Sequence, residues 1–171
     1  MPQIKIREWN EKPRTKLRFI KIGDIFCYQF SEEMFVFGQI LGKVNVGHVI
    51  QFFDIFQASP TITVEELNRA QFIGKPIIVD SYTLFDRNPV WSWQIIGHQV
   101  DFDPSPFKDL AFKWGDPNGS HFGKVWLDGR REPKIFSREE VEDLDWEACV
   151  GSIVYNRILE EELASRGNKG V

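Results

Sequence analysis

Two carboxylates spaced two apart, Asp101 and Asp103, are the first residues whose arrangement suggests chemistry. On an extended chain they face the same way, and close carboxylates can do acid–base work or hold a cation. Asp103 precedes Pro104, however, and an Asp before Pro is a turn former, which suits this residue better. Cys149 is a second candidate, because a helix N-terminus lowers a thiol pKa. It lies at the start of an expected helix that packs on the core, so a buried structural thiol is the stronger reading. His48, His98 and His121 are scattered, and neither Cys27 nor Cys149 has a Cys or His at metal-ligand spacing. HExxH, GxSxG, GxGxxG and GxxxxGK[ST] do not occur. No catalytic residue, metal site or cofactor is therefore assigned.

The densest charged set is Glu139, Glu140, Glu142, Asp143, Asp145 and Glu147. It reads as a solvated helix face or as an acidic patch that meets a basic protein. Trp91, Trp93, Trp114, Trp126 and Trp146 could form a stacking platform for bases, but their flanks are not basic and core packing is the better reading for most. Trp126 lies beside two turn-rich loops and is expected to be partly exposed. The N-terminal stretch carries Lys5, Arg7, Lys12, Arg14, Lys16 and Arg18 and is read as a peripheral basic arm over residues 1–18, solvated on its charged face and either a short strand through Ile4, Ile6 and Trp9 or a loose lead-in.

These residues must be positioned by a chain of 171 amino acids, long enough for one domain with a real core. Fifteen Phe and six Trp predict a dense aromatic interior. A formal net charge of −4 argues against general nucleic-acid binding. Two distant cysteines make no disulfide framework, the first ten residues are mixed and charged, and no apolar run spans a membrane. A cytoplasmic protein is expected.

The organising element is the hairpin 20–42. Alternation puts Ile25, Cys27 and Gln29 on one face and Phe26, Tyr28 and Phe30 on the other, so both faces should be covered. Gly38 predicts a bulge or bend. A third strand, 48–56, should follow as a meander, with Asp54 facing outward or tied to a backbone donor. Thr63-x-x-Glu66 caps a short helix, 64–70. Strands are expected over 77–80, 90–97, 107–114 and 124–127. In the second of these, Trp91, Trp93 and Ile95 share a face. Ser137-x-x-Glu140 predicts a helix over 138–144, and a final helix covers roughly 149–166. Its apolar stripe is Val150, Ile153, Val154, Ile158, Leu159 and Leu163. Residues 167–171 read as a frayed tail. The fold class is α+β: a curved, mostly antiparallel sheet or an SH3-like small barrel, opened by a bent hairpin, with short helices and a C-terminal helix packed against it.

The turn Gly23-Asp24, the aromatic Phe26, and the strand ending Phe37-Gly38-Gln39-Ile40-Leu41 carry a resemblance. With VIQFFDIF, KPIIVDSYTLF and WSWQIIG after them, they resemble the immunity protein 26 family of bacterial polymorphic toxin systems, over Lys21 to about Asp128. The opening also resembles PemK-like ribonucleases, but that match stops at the first strand. The immunity-protein resemblance implies a non-enzymatic cytoplasmic protein that binds a cognate toxin domain, often a basic nuclease. It carries over no catalytic residues. Contact candidates follow from chemistry alone: Asp101, Asp103, Glu139, Glu140, Glu142, Asp143 and Asp145, with Trp126 as an aromatic anchor. The competing reading is a small-barrel nucleic-acid binder or ribonuclease using the basic arm.

Overall fold

The computed structural model describes residues 3–167. The expected tail thus lies almost wholly outside the described residues; Gly167 itself ends the last helix. Six strands form one antiparallel sheet in the order β1-β6-β2-β3-β4-β5: β1 Ile4–Ile6, β2 Asp24–Ser31, β3 Met34–Val44, β4 Gly47–Gln57, β5 Phe72–Val79 and β6 Trp93–Gln99. A second, two-stranded sheet pairs β7 Ala111–Gly115 with β8 Phe122–Trp126. Helix α1 is Val64–Arg69 and α2 is Ser152–Gly167. The fold is α+β, as expected. The large sheet ends at β1 and β5 and does not close, so the barrel variant of the expectation is not realised.

The β2–β3 hairpin is covered on both faces. Phe26, Tyr28, Val36 and Ile40 point into one cluster with Trp93, Phe52, Phe85 and Tyr155. Ile25, Cys27, Phe35 and Phe37 point into another with Ile62, Leu67 and Ile96. Aromatic rings fill the first cluster: Trp93 stacks on Tyr28 at 4.3 Å and meets Tyr155 edge-on at 5.1 Å. Such pairs add about 1 kcal/mol each beyond their buried area. Gly38 is a point of close approach between the chains. A Cβ there would collide with the Phe26 ring and lie 2.5 Å from the Gln51 carbonyl, and the β3–β4 register shifts between Val36 and Gly38. A third cluster joins the sheets, with Leu41, Val44, Val49 and Ile78 against Phe112, Val125 and Leu127.

Asp54 is tied to a backbone donor, accepting from Gln71 N at 2.8 Å. Helix α1 has the full capping box of Thr63 and Glu66. Other elements differ from expectation. Strand β6 starts at Trp93, because the preceding turn is held by Asn88 and Trp91 adopts a left-handed φ of 51°. Trp91 therefore does not extend the face shared by Trp93 and Ile95. Strand β5 starts five residues earlier than expected, at Phe72. The stretch 107–114 is partly a turn, with the strand confined to β7.

The second capping box forms its contacts, Ser137 N to Glu140 and Glu140 N to Ser137 Oγ, yet only a single 3₁₀ turn, Glu139–Val141, follows. The chain downstream is drawn extended against β7, where Lys113 N donates to Asp145 O and Glu147 N to Lys113 O. Long-range pairing thus overrides the local helix signal. Helix α2 begins three residues later than expected and turns a different face inward. Tyr155 and Leu159 are buried and Ile158 packs beside them, whereas Ile153 and Val154 are exposed. Edge-on packing of the Tyr155 ring against Tyr28 and Trp93, and the Tyr28 hydroxyl donating to Asn156 Oδ1 at 3.0 Å, set that rotation. Among the described residues, no helix is long and apolar enough to cross a membrane.

Candidate partner-binding surface

The connector after β6 places Asp101 and Asp103 on the wall of one cavity of about 520 Å³, with Leu67, Phe72 and Phe107. One oxygen of Asp101 and both of Asp103 are already engaged. Asp101 accepts from Gln3 N at 2.9 Å. Asp103 accepts from both Ser105 Oγ (2.6 Å) and Ser105 N (2.9 Å), and the hydroxyl bond first, then the amide, holds its carboxyl below the usual range. Asp103 is the turn former that its Pro neighbour suggests.

Trp126, at the end of β8, is half-buried. It lines a second cavity of about 260 Å³ with Leu41, Leu127, Asp103 and Arg130. The Arg130 guanidinium lies 5.5 Å from its ring centroid. The Trp126 indole Nε1 is buried, and among the described residues no group accepts from it. The structure thus brings Asp103 and Trp126 to one cavity.

The C-terminal carboxylates gather on the segment between β8 and α2; all are exposed except Glu147, and several are paired with cations. Glu140 accepts from Lys134 Nζ at 2.9 Å and from Ser137 N, which holds its carboxyl down to about 2. Asp145 pairs with Lys75 at 2.6 Å. Glu147 takes a two-point contact from Arg131 Nη2, at 2.7 and 3.0 Å. Glu139, Glu142 and Asp143 make no ion pair among the described residues.

Cys149 is not the buried residue expected. It is exposed, precedes α2, and its Sγ donates to Val46 O at 3.0 Å. Desolvation, with Asp80 nearby, pushes its thiol pKa up, away from nucleophilic activation. Cys27 is buried, and burial raises its thiol further. Among the described residues, no three His, Cys, Asp or Glu side chains converge as a metal site.

One cluster is not apparent from sequence. Strand β1 pairs with β6, Lys5 opposite His98, and a cavity of about 520 Å³ opens beside that pairing. Lys5, Arg7, Lys12, Lys21 and His98 line it above Asp24. His98 Nδ1 meets Asp24 Oδ1 at 2.9 Å, and Lys21 N donates to the other oxygen. Burial nonetheless raises the Asp24 carboxyl pKa, the opposing bonds being smaller influences. The signal available was the run of cations before a Gly-Asp turn; the pairing of β1 with β6, nearly a hundred residues on, was not legible.

No curated protein and no solved structure matches the chain. The family model for immunity protein 26 matches residues 21–122, a span that holds β2 to β7 and begins at the Lys21–Asp24 turn. The chain belongs to the immunity protein 26 family.

Proposed function

We propose that this chain binds a cognate toxin domain, a basic nuclease, and blocks it in the cytoplasm without chemistry of its own. Membership in the immunity protein 26 family carries the reading, since an immunity protein neutralises a toxin. The net charge of −4 suits a basic partner, because opposite charge speeds encounter and rejects wrong partners. We assign part of the contact to the exposed carboxylates Glu139, Glu142 and Asp143, which are not consumed by internal ion pairs among the described residues. Trp126 and its cavity are the aromatic anchor, and Asp101 and Asp103 form the adjoining rim. Glu140 and Asp145 serve mainly to hold the segment in shape. We treat 1–171 as one domain, because the cluster around Leu41, Phe112 and Val125 joins the two sheets.

The test is co-expression with each toxin domain encoded beside this gene, scored by survival and by nuclease activity in the lysate. Protection against one of them, with a stable complex on gel filtration, is the expected result. Growth arrest by all of them despite soluble expression of this chain would remove the reading. A neutralised toxin that cleaves no nucleic acid would remove the nuclease assignment alone.

A further inference from the structure

The cavity beside β1 holds an unusual charge arrangement for an acidic protein. Four of its lining residues, Lys5, Arg7, Lys12 and Lys21, are cationic, against Glu11 and Asp24. Lys5, Lys12 and Lys21 make no ion pair with a carboxylate among the described residues. The Arg7 guanidinium is pinned, its Nε donating to Ile95 O at 2.7 Å. Among the described residues its terminal amino groups have no hydrogen-bond acceptor, which leaves a pre-oriented fork of the kind that grips a carboxylate at two points. Asp24 occupies His98 Nδ1 and keeps that ring in place. Thr15, 4 % exposed, lines the same cavity, with an Oγ1 that no group among the described residues satisfies.

The surroundings identify the kind of ligand. β1 is the terminal strand of the sheet, so its outer edge is open to another strand. A second cavity, of about 710 Å³, shares Ile6, Arg7 and Glu11 with the first and continues to Thr61 and Ile62. The joined cavities therefore run from the sheet face over β6 to the end of β1, beside its open edge, and are longer than a single anion needs. A polypeptide supplies both main-chain groups for an edge and a few carboxylates for the fork. A nucleic acid brings many phosphates, which the net charge of −4 opposes.

We propose that the cleft along β1 is a second partner-binding site that receives an extended, acidic segment of the toxin, with a carboxylate seated between Arg7, Lys5 and Lys12. This rests on the toxin-binding reading above. A basic domain can carry a local acidic segment, and that segment would dock on the face bearing β1 while the basic surface meets the carboxylates near α2.

The site is tested without the toxin. Isotope-labelled full-length protein is titrated by NMR with a hexaglutamate peptide, with inorganic phosphate, and with a hexathymidylate of matched charge. The expected result is saturable shifts from the peptide at the amides of Ile4 to Trp9 and Gly97 to Gln99, with weaker effects from phosphate and from the oligonucleotide. The variant carrying Lys5→Glu and Lys12→Glu changes exposed side chains only, and it should keep its melting temperature while binding the peptide about tenfold more weakly. Shifts centred elsewhere, no shifts, or unchanged binding by the variant would overturn the site. Tighter binding of the oligonucleotide would overturn the peptide and replace it with a nucleic acid. Failure of every toxin in the survival assay, by contrast, removes the toxin-binding reading, whatever the titration shows.

Discussion

The segment from Ser137 to Glu147 and the arm from Lys5 to Lys21 carry opposite charge, but they differ more in how that charge is held. In the acidic segment, Glu140, Asp145 and Glu147 are each bonded to a cation outside Ser137–Glu147, namely Lys134, Lys75 and Arg131. Their carboxylates shape the chain that carries them. In the basic arm, Arg14 is paired with Asp86, whereas Lys5, Lys12 and Lys21 surround a cavity with no ion-pair partner among the described residues. Charge that is internally satisfied acts on stability, and charge left open acts on association. The segment that looked functional by composition is thus partly structural, and the arm that looked merely solvated holds the more available charge.

That contrast can be broken in graded steps. Gly38→Val should disturb both regions at once, since its side chain would enter the space of the Phe26 ring and the Gln51 carbonyl in the hairpin that supports them. A cost of at least about 3 kcal/mol is expected in urea denaturation. A variant of unchanged midpoint would show that the hairpin can move apart there.

Acid should separate the wired carboxylates from the buried core. His48 is 2 % exposed and bonded to Ser81, and burial lowers its pKa from 6.5 to about 4. Because the folded value is the lower one, the unfolded chain binds the extra proton between these limits. Stability is full above pH 6.5 and falls as pH drops towards 4, by up to about 3 kcal/mol. Glu140 keeps its charge down to about 2, so its contact with Lys134 persists through that window. His48→Gln should flatten the loss between pH 6.5 and 4 in a melting series; an identical slope would place the acid sensitivity elsewhere.

Glu147→Ala comes next. Its side chain is 4 % exposed and Arg131 would lose a two-point contact, so about 2 kcal/mol should go. Lys5→Ala and Lys12→Ala should each stay within about 0.5 kcal/mol of the parent. If the lysine changes cost as much as Glu147→Ala, the division between structural and available charge fails.

Much of the scaffold was readable because its cause is local. Alternating apolar residues in β2 and β3 announced a sheet covered on both sides, Gly38 announced the irregularity in β3, and Thr63 with Glu66 announced α1. The candidate site was less readable. Exposure of Glu139, Glu140, Glu142, Asp143 and Asp145 followed from their polarity, but the burial of the Glu147 side chain against Arg131 and the pairing of Asp145 with Lys75 needed separate parts of the chain to meet. Ser137 and Glu140 formed the same local contacts as the first capping box and still produced only one turn, because the following chain pairs with β7.

By itself, then, the sequence determined the α+β class, the aromatic hairpin, the first helix and the family, all of which depend on neighbours within a few residues or on a pattern along the chain. Tertiary structure decided which charges are spent and which remain. Hydrogen bonds and ion pairs form only at contact distance and exposed charges are screened beyond about 10 Å, so the role of Lys5, Arg7 or Glu147 depends on what folding brings beside it. The antiparallel match of Ile4–Ile6 with the far end of β6 is the clearest case: residues nearly a hundred positions apart create the cavity, and no local feature of either strand announces it.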